Sequence, residues 1–155
     1  MALRTIVTEG YESLSKISKP VDNFDGRLEI LINDMIDTVK NANGIGLAAP
    51  QIGILRRVAI VVDSDESVIV LVNPEIVEKH GEQVATEGCL SIPGVWGKTK
   101  RPAKVTIKAQ DKNGKLFTLT REGITAVAFC HETDHLDGKL FRDKVLEYIE
   151  HDEKR

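Results

Sequence analysis

The sequence predicts an α+β fold, because its hydrophobic period changes twice along 155 residues. A helical spacing of apolar residues covers 25–40, short Val- and Ile-rich segments fill the middle, and helical spacing returns after 121. Strands grouped between two helices, without strict alternation, suit that class.

The first element is the clearest. Leu28, Leu31, Ile32, Met35, Ile36 and Val39 recur at i, i+3, i+4, i+7, i+8 and i+11, which makes an N-terminal amphipathic helix with one packed side. Asp25 stands at its N-cap, and the Asn and Gly of "NANG" at 41–44 stop it. Next come "RRVAIVV", "VIVLVN" and "PEIVEKHG", each bounded by turn residues, read as strands. Residues 104–120 read as a β-hairpin around Asn113-Gly114, with Val105, Ile107 and Ala109 on one face. In "REGITAVAFCHETDHLDG", Ile124, Val127, Ala128, His131 and His135 share one helical face, and Gly138 ends the helix. The tail from Asp143, "DKVLEYIEHDEKR", reads as a short charged segment with helical character that frays at its end. Nothing divides the chain, so 1–155 is read as a single domain, long enough to build its own core.

Composition narrows the function. A net charge of −3 provides no field for a nucleic-acid backbone, and no direct nucleic-acid motif is present. No apolar run reaches the 18 or so residues of a membrane span, and "MALRTIVTEG" lacks a secretory h-region. The chain reads as cytoplasmic, and a mature organellar form with its leader removed would read the same. Cys89 and Cys130 are therefore expected as free thiols rather than a disulfide.

Three stretches carry chemistry. In "HETDH", His131 and His135 lie one helical turn apart and can aim one nitrogen each at a single ion, with Glu132 about 100° round the helix. The competing reading is a polar cluster on a solvated helix, but these histidines continue an apolar face, where unpaired imidazoles are costly. A catalytic ion keeps three protein ligands and one open position. The third ligand could lie downstream, at Glu147, Glu150, His151, Asp152 or Glu153, or upstream at Cys89 in "TEGCLSIPG". Cys89 could equally be a small buried hydrophobe. The third stretch, "GIGLAAPQ" at 44–51, has glycines that let a ligand approach the backbone, and Gln51 offers an amide N–H to an oxyanion; a plain helix-to-strand loop is the alternative.

Together, Gly44 to Gln51, Glu87 to Ser91 and His131 to His135 resemble the three motifs of the peptide deformylase family, in family order. The resemblance runs the length of the chain. It implies antiparallel and mixed β-sheets surrounding a central helix that carries HExDH. It also implies removal of the formyl group from the N-terminal formylmethionine of nascent polypeptides, with release of formate. By the same resemblance, Cys89, His131 and His135 hold one divalent ion per chain, Fe²⁺ as the native metal with Zn²⁺, Ni²⁺ or Co²⁺ able to substitute. Glu132 is the general acid/base, and Gln51 with the Leu90 backbone N–H holds the oxyanion. Ile45, Gly46, Ile124 and Ala128 bind the methionyl substrate, and Glu87 pairs with Arg101 near the site.

Cys130 departs from the family, which usually has Gln before the first histidine; a buried small hydrophobe is the expectation. Trp96 is expected beside the peptide groove or capping the core. Transient ribosome association is an expectation too, and the oligomeric state is open. The rivals are a peptidase using HExxH with another third ligand, and a non-catalytic metal- or formyl-peptide-binding module. Cys89 in its motif disfavours the first, and a general base at Glu132 disfavours the second.

Overall fold

The computed structural model describes residues 2–149. Among these, two α-helices and eight strands make an α+β fold with antiparallel sheets. Helix α1 is Gly26–Asn41 and α2 is Gly123–Leu136. The strands are β1 Gly46–Ala48, β2 Val58–Val62, β3 Val68–His80, β4 Gln83–Cys89, β5 Ile92–Arg101, β6 Lys104–Gln110, β7 Leu116–Glu122 and β8 Val145–Ile149. One sheet runs in the order β1-β2-β3-β6-β7 and a smaller one β4-β5-β8.

The α1 stripe buries Leu28, Leu31, Ile32, Met35 and Val39, at about 1.5–3 kcal/mol for each fully buried side chain. The Asp25 carboxylate accepts from the Leu28 N–H at 3.2 Å, which satisfies one of the donors a helix start leaves free. The helix stops at its Asn-Gly stretch, where Asn43 adopts φ 55.

Strand β2 decides how the layers stack. Val58 and Ile60 pack into the cluster that holds Leu28 and Met35, whereas Ala59 and Val61 pack with Ala126, Phe129 and Leu136 of α2. Because side chains alternate along a strand, one apolar run seats α1 on one face and α2 on the other.

Three expectations need correction. "VIVLVN" and "PEIVEKHG" form one strand, β3, and the register slips between Val72 and Glu75. Pro74 stands at that slip, where its missing N–H breaks no ladder. Asn73 locks the bend by bonding the Val21 N–H and C=O, both at 2.8 Å. The tail is not helical: a 3₁₀ turn, Phe141–Lys144, leads into β8, which pairs with β5. Its Val, Tyr and Ile suit a strand, and the edge of β5 opposite β4 supplies the partner. Finally, α2 does not bury a single face. Every residue from Thr125 to Leu136 except Asp134 is buried, so the helix is enclosed on all sides.

The end of α2 is pinned. Ser18 N–H donates to Leu136 O at 2.8 Å, as does Arg57 Nη1 at 3.0 Å, and Arg57 Nη2 meets Asp137 Oδ1 at 2.9 Å. Gly138 takes φ 76, and a Cβ there would come within 2.9 Å of the Ser15 backbone. Gly53, at φ 80, has open space around the same position. Gly138→Ala should therefore lose more stability in a denaturant melt than Gly53→Ala, which carries only the left-handed penalty of about 1 kcal/mol or slightly more. Equal losses would show that the contact with Ser15 relaxes without cost.

Candidate metal centre

Elements from both sheets and α2 meet at a cleft of about 670 Å³, lined in part by Gly46, Gln51, Cys89, Trp96, His131 and Glu132. Cys89 is the last residue of β4, followed by the Leu90–Ser91 turn into β5. His131 and His135 come from successive turns of α2. Their Nε2 atoms lie 3.2 Å apart, and Cys89 Sγ is 3.3 Å from His135 Nε2. All three donor atoms fall within 4.8 Å of one another.

Those separations fit an ion. Tetrahedral bonds of about 2.0–2.1 Å to nitrogen and 2.3 Å to sulfur place neighbouring donors roughly 3.3–3.6 Å apart. Burial pushes His131 down, but its hydrogen bonds to Cys89 and Glu87 and the charge of Glu132 outweigh that, so His131 is held protonated well above its usual range. Burial and the charge on His131 push His135 well below its own. The donor set itself, two imidazoles and a thiol with carboxylates behind them, is one that can hold a divalent cation.

Behind the donors, His131 Nδ1 meets Glu87 Oε1 at 2.8 Å, which turns Nε2 toward the cleft. Glu87 in turn accepts from Thr99, from Arg101 Nε at 2.6 Å and from Arg101 Nη2 at 2.9 Å. Burial alone would raise Glu87; the bonds from Arg101 and His131 bring it down to about 2. Arg101 also reaches Asp134 Oδ2 at 2.9 Å. Glu132 has a different environment. Burial raises its carboxyl to about 7, and among the described residues its Oε1 meets no hydrogen-bond partner. A carboxyl poised near neutrality beside a cleft can both take and return a proton.

The Gln51 amide points into this group: Oε1 accepts from the Ala48 N–H at 2.9 Å, and Nε2 donates to Ser91 Oγ at 3.1 Å and lies 3.6 Å from Cys89 Sγ. The "GIGLAAPQ" stretch is not a plain loop, since it contains β1 and a 3₁₀ turn at Ala49–Ile52 that aims this amide. Ile45 and Ile124 line the cleft at 48% and 61% exposure, so they form its lip, while Ala128 is buried in its wall. Trp96 lies on the cleft side with its ring over Gly88, where a Cβ would meet it at 2.6 Å. Cys130 packs in the apolar core beside Phe129. Of the downstream ligand candidates, Glu147 is exposed on β8; Glu150, His151, Asp152 and Glu153 lie outside the described residues.

Sequence reasoning passed over three residues here. Val127 lines the cleft between Ile124 and Ala128 and was already visible in the helical spacing. Asp134 was inside the pentapeptide. Thr99, set among lysines in "GKTKR", gives a signal only when the alternation of β5 is traced from Arg101.

Two imidazoles and a thiol that can hold an ion, beside a carboxyl raised toward neutrality, suit the class of metal-dependent hydrolases. Residues 3–150 match the sequence profile described as polypeptide deformylase. A peptide deformylase of Acetivibrio thermocellus is 52% identical over 153 residues, covering 99% of this chain and 89% of that one. One of Caldicellulosiruptor bescii is 56% identical, covering 99% and 92%. The crystal structure of a peptide deformylase from Legionella pneumophila superposes with a TM-score of 0.88 at 49% identity, over 92% of this chain and 86% of that one. A Met-Ala-Ser-bound peptide deformylase from Acinetobacter baumannii gives 0.87 at 31% identity, over 92% and 98%. The chain belongs to the polypeptide deformylase family. It is an enzyme that removes the N-formyl group from formylmethionyl nascent polypeptides, and its family is metal-dependent.

Gly46 tests how tightly Glu132 is held, because a Cβ on Gly46 would overlap the Glu132 carboxylate. If Glu132 exchanges the proton, Gly46→Ala should keep its metal content while formate release falls by about 10²-fold or more. Loss of metal together with activity would place the damage at the donors instead.

Proposed function

We propose that residues 1–155 form one catalytic domain whose metal ligands are Cys89, His131 and His135, with Glu132 as its general acid/base. The observation that carries this reading is the convergence of two imidazoles and a thiol on one point, within 4.8 Å, beside a buried carboxyl raised to about 7. A structural ion would normally take four protein ligands, and three leave a position open for chemistry. Mixed nitrogen and sulfur ligation suits Fe²⁺, which we take as the native ion, and permits Zn²⁺, Ni²⁺ or Co²⁺.

A divalent ion bound there acts as a Lewis acid and lowers the pKa of a water from 15.7 toward roughly 7. The remaining work falls to side chains. Glu132 accepts a proton from the water that attacks the formyl carbon. It returns that proton to the amine nitrogen as the C–N bond breaks, so formate and a free N-terminus leave. Gln51 Nε2 and the Leu90 backbone N–H donate to the oxygen that gains negative charge.

The cleft runs between β1 and β4, strands at the ends of their respective sheets. An extended peptide can lie between these edges, with backbone bonds to Gly46 and its first side chain against Ile45, Ile124 and Ala128. Because no side chain stands on Gly46, Glu132 and the peptide backbone can approach there. We take the enzyme to act in the cytoplasm, in transient contact with ribosomes; its bacterial relatives favour that setting over a mature organellar one.

The direct check is formate release from formyl-Met-Ala-Ser by protein prepared without oxygen. Chelation should abolish release, and Fe²⁺, Ni²⁺ or Co²⁺ should restore it. Gln51→Ala should lower kcat by about 10²-fold, the usual cost of one oxyanion donor, with metal retained. Release that survives complete metal removal would overturn the reading, and equal cleavage of unformylated peptides would favour a peptidase.

A further inference from the structure

Thr99 is fully buried at the inner face of β5, although its sequence neighbours are Lys98 and Lys100. It sits diagonally across from Glu87, since Ala85 pairs with Thr99 and Glu87 with Gly97. The Thr99 hydroxyl donates to Glu87 Oε2, while Val145 of β8 fills the space that a side chain on Gly97 would take. The same oxygen accepts from Arg101 Nε, while Oε1 accepts from Arg101 Nη2 and faces His131 Nδ1. Each carboxylate oxygen therefore has two partners, and rotation would leave a buried donor unmatched.

Arg101 cannot fix that carboxylate alone, because its third nitrogen, Nη1, is drawn toward Asp134 at 2.9 Å. A guanidinium shared between two carboxylates can slide toward either. Thr99 is different: it is neutral, its hydroxyl serves Glu87 alone among the carboxylates, and β-branching limits its rotation.

We infer that Thr99 is a positioning residue for the metal centre, its hydroxyl fixing the Glu87 carboxylate that orients His131 and so keeping His131 Nε2 on the bound ion. This rests on Cys89, His131 and His135 being the ligands. Loss of a direct partner of a ligating His costs roughly 10–100-fold in metal affinity; Thr99 is one hydrogen bond further out, so about three- to tenfold is expected. A buried hydroxyl that only satisfied itself would affect folding stability and leave the ion's affinity unchanged.

The test uses the full chain, made metal-free and titrated with Zn²⁺ against a chromogenic chelator, with the visible absorption of the Co²⁺-loaded protein as a second readout. Thr99→Val should bind Zn²⁺ about three- to tenfold more weakly and shift the Co²⁺ bands. Thr99→Ser should restore both, and Thr99→Val should add nothing in a Glu87→Gln background. Should the valine not fold, Thr99→Ala carries the same comparison. Wild-type affinity and spectrum in Thr99→Val, whatever its Tm, would overturn the inference, as would Thr99→Ser binding as weakly as Thr99→Val. A wild type that takes up no ion would overturn the ligand assignment and this inference with it.

Discussion

The Glu87 carboxylate is the contact on which the rest of the site depends. It is buried at the junction of the small sheet with α2, and it ties Thr99 and Arg101 of β5 to His131 of α2. Holding a carboxylate away from water is expensive unless every lone pair is used. Here the oxygens are used fully, and one of them turns His131 Nε2 toward the cleft. The same interaction that docks α2 on the small sheet therefore also shapes the metal site.

Enclosure of α2 makes this arrangement possible and gives Glu132 its character. A helix covered on all sides has little freedom to rotate, so two histidines one turn apart stay aimed at one point. Burial also separates the two carboxyls electrostatically. Glu87, surrounded by donors, is lowered to about 2, whereas Glu132, next to His131 but without that support, rises to about 7. Two carboxyls in one centre thereby take different tasks, one fixed in charge and one able to exchange a proton.

Much of this was legible in the sequence, though unevenly. The α1 stripe, the Asn113-Gly114 hairpin and the helical spacing of His131 and His135 are local signals, and the residues stand in those elements. The helix-to-strand glycines and Gln51 could be noticed as unusual, but the 3₁₀ turn that aims the amide depends on packing against Ser91 from another sheet. β8 was missed because its five residues pair with β5 across a long stretch of chain, and a short strand at a charged tail has little local signature. Thr99 was invisible for a related reason: only the register of β4 against β5 places it beside Glu87. The burial of α2 on every side could not be read from one apolar face, because Thr125, Thr133 and Glu132 look polar until their partners are known.

The most direct test compares wild type with Glu132→Ala, both fully metallated, for formate release from formyl-Met-Ala-Ser. The expected result is rapid release by the wild type and loss of it in the variant at equal metal content, because the donors remain and the proton carrier is gone. Release by Glu132→Ala at the wild-type rate would contradict the assignment of that carboxyl. No release from a fully metallated wild type would contradict the account of the centre as a whole.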